Sequence, residues 1–360
     1  MLETRKVFID TECFVKAGLH FDNPTFKSFR KHCENNELIH IITSVVGKEV
    51  ESKIHLSVTD ALTSLKNFKR KARILSELED DHIKSLFSEI SEADIHKKSL
   101  DVFREFIEGC KTELVDASSV NPENILSLYF DKKPPFGDGK KKAEFPDALS
   151  LFSLKSTLEP EDKIYVISGD SDLKSFCNAD PQLISLESLD KLLDLYSQHT
   201  NKLTDEVKLY LESNEDIVKG KIEEYLEGCD VYNVSSWEDA EVDNDALTVI
   251  NLGNIVPSVI FINDEESQIT FDIDVEFEVT VTGPDFNNGI YDREDGLVYT
   301  FDNTSQTKII SRTYTVETLL YYDSVDGNIE SVEYEDLYIA GVSSGIEVDV
   351  EENESEDHYK

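Results

Sequence analysis

The chain has 360 residues, 39% of them hydrophobic, and a formal net charge of −40, so it is long enough for two or three domains with apolar cores. Residues 1–200 carry 27 Lys and Arg against 35 Asp and Glu, a net charge of −8, whereas the rest carries 8 against 40, a net charge of −32. The five cysteines lack the even number and paired spacing of a disulfide framework or zinc site, and no run of ~20 apolar residues indicates a membrane-spanning helix. With no signal peptide before the first predicted strand, these features predict a soluble cytoplasmic protein with free thiols.

Residues 1–200 alternate between short apolar segments and helical segments, a pattern typical of a parallel sheet covered by helices on both faces. The predicted strands are, in chain order, 7–10, 38–43, 112–115, 163–167 and 183–186. The predicted helical segments are 11–36 with a break at Asn23-Pro24, 44–109, 121–130, a helix that Pro146 opens, 172–177 and 189–196.

The rest of the chain has a different character. Residues 201–228 are predicted to form a polar helical connector. Residues 229–350 alternate apolar and polar residues with period two, most clearly at 269–281, and turn signals separate the runs. This pattern predicts an acidic antiparallel β domain with one solvated face. The acidic tail, 351–360, is predicted to be disordered.

Acidic residues follow the two most apolar strands of the first half. Asp10 ends the first strand, and Asp170 and Asp172 come shortly after the fourth. Asp147 lies in the first turn of a predicted helix, and Glu49 on the helix after the second strand. Ligands of a doubly wound sheet collect beyond the carboxyl ends of its strands, so neighbouring first and fourth strands would bring these acids to one crevice. A divalent cation would compensate their charge there, and carboxylate-bound cations indicate phosphoryl chemistry.

Four segments of this half resemble the PIN-domain nucleases in order and spacing. They are VFIDTECF at 7–14, SVVGKEVESKI at 44–54, EFPDALSL at 144–151 and VISGDSDLKSF at 166–176, and the resemblance spans residues 1–195. It implies a three-layer α/β/α fold with a central parallel sheet, joined here to the C-terminal antiparallel β-rich domain. It also implies Mg²⁺- or Mn²⁺-dependent hydrolysis of phosphodiester bonds, with RNA favoured over DNA as the nucleic-acid partner.

The resemblance also implies roles for single residues. Five acids become metal ligands and catalytic residues: Asp10, Glu49, Asp147, Asp170 and Asp172. Thr11 and Ser168 are similar to the small hydroxyl residues that line such sites. Two features depart from the family pattern, a long helical insert between Glu49 and Thr112 and a cysteine at Cys13, where Asn or Ser is usual. Neither departure removes an acidic ligand, so an active enzyme is expected.

Each candidate also has an ordinary structural interpretation. Asp10 suits a strand-end cap, and Asp170 and Asp172 suit turn and N-cap positions. Asp147 suits the positive end of a helix dipole, and Glu49 alone suits a solvated helix face. Glu144, just outside the helix start, is a further site-lining candidate. Three lysines in the preceding loop either contact a substrate phosphate or form a solvated basic loop: Lys140, Lys141 and Lys142. The joint pattern of four segments, more than any one residue, favours the functional interpretation.

Three functions compete. The leading hypothesis is a metal-dependent endoribonuclease, with a toxin or antiviral defence role implied by resemblance alone. The alternative is a catalytically silent PIN-like binding module in a larger assembly, against which the intact acidic set argues. A phosphatase with the same carboxylates is disfavoured because the segment that begins at Asp10 lacks the Asp-x-Asp pattern typical of such enzymes.

The acidic half needs its own explanation, because a surface with a net charge of −32 repels nucleic acid. Three interpretations stay open: solubility, a site for a protein partner, and an intramolecular mimic of nucleic acid that keeps the nuclease idle. Homo-oligomerisation is also open, since PIN domains often pair.

Overall fold

The computed structural model describes residues 2–78, 80–88, 90–136, 144–293, 296–325, 328–334 and 337–352. The chain forms two compact units, Met1–His199 and Thr200–Lys360. Over the described ranges, no helix combines the length and the apolar character needed to cross a membrane. The predicted disordered tail falls outside the described residues from position 353 onward, whereas Glu351 accepts hydrogen bonds from Ser236.

A five-stranded parallel sheet forms the centre of the first unit. Its strands are β1 (Lys6–Ile9), β2 (Ile39–Thr43), β3 (Glu113–Val115), β4 (Ile164–Ile167) and β5 (Leu183–Leu186). They lie in the order β3-β2-β1-β4-β5, and Phe8 of β1 is opposite Ile41 on one side and Val166 on the other. The predicted parallel sheet is therefore confirmed, with strand ends shifted by one residue at most. The first and fourth strands are central neighbours, which is the arrangement that would bring Asp10 and Asp170 to one crevice.

Helices flank this sheet, with two short 3₁₀ turns at Arg73–Glu77 and Ala117–Ser119. The helices are α1 (Thr11–Lys16), α2 (Pro24–Glu34), α3 (Ser44–Lys71), α4 (Asp81–Leu86), α5 (Glu92–Gly109), α6 (Pro122–Asp131), α7 (Phe145–Lys155), α8 (Ser171–Asn178) and α9 (Leu189–Thr200). The predicted break before Pro24 is present, and Asn23 begins α2 by accepting a hydrogen bond from the Phe26 N–H at 2.8 Å. The α/β/α layering implied by the resemblance is confirmed.

An aromatic cluster joins α1, α2 and α5. Its five rings are Phe14, Phe21, Phe26, Phe103 and Phe106, each at most 4% exposed. The Phe14 and Phe26 rings are stacked with their centroids 5.3 Å apart, and Phe106 meets Phe26 edge-on at the same separation. Because α1 starts directly after β1, this packing anchors the chain segment that follows the central strand.

The second unit is a mainly antiparallel β structure, as predicted. Its strands are β6 (Val231–Asn233), β7 (Glu241–Leu252), β8 (Ser258–Ile262), β9 (Glu266–Pro284), β10 (Ile290–Tyr291), β11 (Val298–Tyr299), β12 (Asn303–Val325), β13 (Asn328–Tyr334), β14 (Tyr338–Ile339) and β15 (Ile346–Val348). The main sheet has the order β13-β12-β9-β7. Along β9, apolar residues from Ile269 to Val281 are buried on one face, and acidic residues from Asp272 to Glu278 are exposed on the other.

The structure differs from the expected connector at residues 201–228. These residues form α10 (Leu203–Ser213) and α11 (Glu215–Glu227), which belong to the second unit. Val207 on α10 and Ile222 on α11 are fully buried, in the same core as Phe271 of β9. The segment is polar on average, but its apolar residues recur at helical spacing and form one face, which is buried against the sheet.

Candidate functional site

Asp10 lies at the carboxyl end of the central strand β1 and is 8% exposed. Its Oδ1 accepts a hydrogen bond from the Thr11 N–H at 2.8 Å, and its Oδ2 accepts one from the Ser168 hydroxyl at 2.9 Å. Burial raises the pKa of Asp10 to about 6. The two hydrogen bonds oppose this shift, and the charges of Glu49 and Glu12 add to it. Asp10 is therefore a buried carboxyl whose negative charge the protein compensates only in part.

Glu49 reaches the same place from α3. The Thr11 hydroxyl donates to Glu49 Oε2 at 2.8 Å, so the residue that follows Asp10 holds the helical carboxylate. Thr43, the N-cap of α3, has its hydroxyl 2.9 Å from the Ser150 hydroxyl on α7. These hydroxyl contacts hold the ends of β1 and β2 against the helices that carry the acidic residues.

Asp147 comes from the first turn of α7. Its pKa is raised above the ordinary value, chiefly by burial and then by a hydrogen bond with Glu144, the residue that precedes the helix. The charges of Asp10, Glu144 and Glu49 raise the pKa further. The structure therefore brings Asp10, Glu49 and Asp147 together, with Glu144 beside them.

Ser168 links this group to the loop after β4. Its hydroxyl donates to Asp10 and accepts a hydrogen bond from the Asp170 N–H at 3.1 Å. Asp170 Oδ1 caps α8 by accepting from the N–H groups of Asp172 at 2.5 Å and Leu173 at 3.3 Å. Asp172 lies in the first turn of α8. Asp170 thus adjoins the acidic group through Ser168 and also performs the capping role that was its alternative interpretation.

Sequence reasoning missed two charged residues beside the site, Glu12 and Lys16. Glu12 Oε1 is 2.9 Å from Lys16 Nζ, and within the part of the chain that the structure describes Glu12 Oε2 is buried without a hydrogen-bond partner. Their Glu-x-x-x-Lys spacing was the available signal, since residues four apart share a helix face. The predicted phosphate contacts lie outside the described residues: Lys140, Lys141 and Lys142.

The donor set fits a hard divalent cation in its chemistry. Carboxylate oxygens are ligands that Mg²⁺ and Mn²⁺ prefer. The raised pKa values of Asp10 and Asp147, with the unpartnered oxygen of Glu12, indicate negative charge that a cation would compensate. In the described ranges, however, no three His, Cys, Asp or Glu side chains are arranged so that they could hold a metal ion. Ligation would therefore require these side chains to rearrange.

The charge of Asp10 leads to a prediction about stability. We expect Asp10→Asn to stabilise the protein in EDTA, by an amount that grows with pH. The pKa of Asp10 is raised from 3.8 to about 6 in the folded state, so the folded protein binds this proton more tightly than the unfolded chain does. The tighter binding of this proton therefore stabilises the folded state at low pH, and the stabilisation is lost as the pH rises from about 4 to about 6. An amide avoids this loss, which corresponds to about 3 kcal/mol.

Urea unfolding of both proteins, followed by circular dichroism at about pH 5 and about pH 8, measures this difference directly. Taking the difference between the two proteins cancels the titration of the shared groups that do not interact with Asp10. Equal stability at the higher pH would show that the surroundings of Asp10 do not penalise its charge.

Residues 7–173 match the family model described as PIN domain. The match runs from β1 to the start of α8 and contains all five acidic residues assigned to the site. It confirms the family resemblance and the fold of this part of the chain. Comparison with curated proteins and with solved structures finds no match.

Proposed function

We propose that this protein is a metal-dependent endonuclease, because residues 7–173 match the PIN-domain family model and members of that family are generally nucleases. Its substrate would be RNA in preference to DNA, which the family resemblance favours. The observation that supports catalysis most strongly is the grouping of Asp10, Glu49 and Asp147 where the central strand ends. Acids with raised pKa values in one place are typical of functional sites.

The cation would be held by Asp10, Glu49 and Asp147, with Asp170 and Asp172 on the adjoining helix. A bound Mg²⁺ or Mn²⁺ would supply Lewis-acid activation of water and compensation of charge on the scissile phosphate.

The protein's own residues prepare this site. The hydroxyls of Thr11 and Ser168 orient Glu49 and Asp10 through hydrogen bonds of 2.8 and 2.9 Å. Asp10 is mostly ionised at neutral pH, because its pKa is about 6. Without a bound cation, Asp147, with its raised pKa, keeps its proton to higher pH, and Glu144 hydrogen-bonds to it.

A nucleic-acid panel tests this proposal. The full-length protein is incubated with labelled RNA, single-stranded DNA and duplex DNA in Mg²⁺, Mn²⁺ or EDTA. We expect internal cleavage of RNA with a cation present and none in EDTA. Asp147→Asn removes one anionic ligand, so we expect it to lower the cleavage rate by about 10²- to 10³-fold.

The same panel separates the proposal from its alternative. RNA binding without cleavage under every cation condition would favour the catalytically silent binding module. Isothermal titration with Mn²⁺ adds an independent readout, since a silent scaffold needs no cation. The toxin or defence role, the cytoplasmic location, the phosphate contacts of the 140–142 lysines and the role of the acidic second unit stay predictions of the sequence.

A further inference from the structure

A lysine ammonium lies beside the acidic group, over the loop between β4 and α8. Lys16 is the last residue of α1, and a Cβ built on Gly169 would meet Lys16 Nζ at 2.6 Å and Glu12 Oε2 at 3.1 Å. Gly169 lies between Ser168, which donates to Asp10, and Asp170, which caps α8. The Glu12–Lys16 ion pair therefore occupies the space over this glycine, at the border of the proposed active site.

This border is where a nucleic-acid strand would meet repulsion. The charges that raise the pKa of Asp10 and of Asp147 all belong to carboxylates. These carboxylates repel a phosphate when no cation is bound, and a cationic group of the protein beside them would lower that repulsion. Lys16 can supply that group, because its side chain is 63% exposed and a substrate can reach it.

The ion pair is better explained by positioning than by stability. Solvent-exposed ion pairs contribute little to folding, so the contact between Glu12 and Lys16 is a weak structural support. It does restrict the ammonium to one side of the loop, because Glu12 Oε1 accepts a hydrogen bond from Nζ at 2.9 Å. An ammonium has three N–H donors, so donors remain for the oxygens of a phosphate.

We propose that Lys16, held over Gly169 by Glu12, contacts a backbone phosphate of the nucleic-acid strand next to the site of cleavage. This inference rests on the proposed nuclease function and extends it to a specific substrate contact. Glu12 is a positioning residue, which acts by holding Lys16. Gly169 leaves the space that the ammonium occupies.

The first test compares two lysines of the full-length protein under the same neutralising change. Lys16→Gln is expected to raise KM for RNA about 10-fold and to change kcat by less than about 3-fold. The slope of log KM against log salt should fall by about 0.7, the value for one phosphate contact to a single strand. Lys16→Arg keeps the charge and should restore most of the affinity. Lys27→Gln, an exposed position on α2, is the matched control and should keep the parental KM.

A second variant removes the proposed contact between Lys16 and the phosphate without removing a charge. Gly169→Ala places a methyl group where the ammonium lies and should raise KM about 5- to 10-fold, as one lost phosphate contact does. The variant is expected to fold, because the atom that must move is the end of a flexible side chain and Gly169 does not have a positive φ. A KM equal to the parental value in both Lys16→Gln and Gly169→Ala would overturn the inference.

Binding of fluorescent RNA in EDTA gives the same comparison without turnover. If the parent protein cleaves RNA and Lys16→Gln behaves like Lys27→Gln, the inference fails while the nuclease function stands. If the parent binds RNA without cleaving it and Lys16→Gln weakens that binding about 10-fold, the phosphate contact stands and the nuclease function fails. A parent protein that neither binds nor cleaves nucleic acid overturns both.

Discussion

Asp10→Asn is expected to lower the rate of RNA cleavage by the full-length protein about 10³-fold or more, about 4 kcal/mol in the activation barrier. Asp10 ends the central strand. Ser168, in the loop after β4, donates a hydrogen bond to it, and Thr11 connects it to Glu49 of α3. The amide keeps the shape of the side chain and removes the negative charge that a cation needs. The measurement is kcat/KM on the preferred RNA in Mn²⁺.

A matched control makes the same chemical change at the opposite, amino end of the parallel strands. Asp162 precedes β4 and pairs with Lys6 at 2.7 Å, which, with other contacts, lowers the pKa of its carboxyl. Asp162→Asn should keep cleavage within about 2-fold of the parent and gain no stability, because exposed ion pairs contribute little. The prediction for Asp10 would be contradicted by a folded Asp10→Asn protein that cleaves at the parental rate.

Phe106→Ala is expected to destabilise the first unit by about 3–5 kcal/mol. Phe106 is 1% exposed. The centroid of its ring lies 5.3 Å from that of Phe26, 5.6 Å from that of Phe21 and 6.1 Å from that of Phe14. Truncation would leave a cavity where α5 packs against α1 and α2. The measurement is chemical unfolding followed by circular dichroism, which reports the helices, most of which lie in the first unit.

The chain provides two internal controls for this experiment. Phe130 is 75% exposed, so Phe130→Ala should cost less than about 1 kcal/mol. The single tryptophan, Trp237, lies in the second unit at 5% exposure and donates through Nε1 to the Pro284 carbonyl at 2.9 Å. Its fluorescence follows the unfolding of the second unit, so it shows separately what Phe106→Ala does to each unit. A loss below about 1 kcal/mol for this variant would contradict the anchoring role of the cluster.

Much of the first unit could be predicted from sequence because its signals are local. A strand buried on both faces must be apolar along its length, as β4 is from Ile164 to Ile167. Asn23 and Pro24 mark a helix start through capping and a fixed φ. The second unit was harder to predict from the sequence. Its helices α10 and α11 are polar on average, and only contact with the sheet identifies their apolar face as part of a core.

The site, too, has features that the sequence predicts and features that only packing reveals. Asp10 and Asp147 could be placed by the strand and the helix that carry them, whereas the hydrogen bond between Ser168 and Asp10 joins residues 158 positions apart. Asp147 and Glu144 are only three residues apart, but the burial that chiefly raises the pKa of Asp147 depends on the packing around α7. Glu12 and Lys16 were missed because their proximity to Gly169 arises from packing between α1 and the loop after β4.

The amino-acid sequence by itself determined the alternation of strands and helices, the order of the acidic segments and the contrast between a nearly neutral and a strongly acidic half. These properties follow from hydrophobic periodicity, capping chemistry and composition, each of which acts over a few neighbouring residues. Tertiary structure alone decided which acids share one environment, that burial raises the pKa of Asp10 and of Asp147 and that a lysine borders them. Such properties depend on distances between segments far apart in the chain and on the exclusion of water, which arise only when those segments pack together.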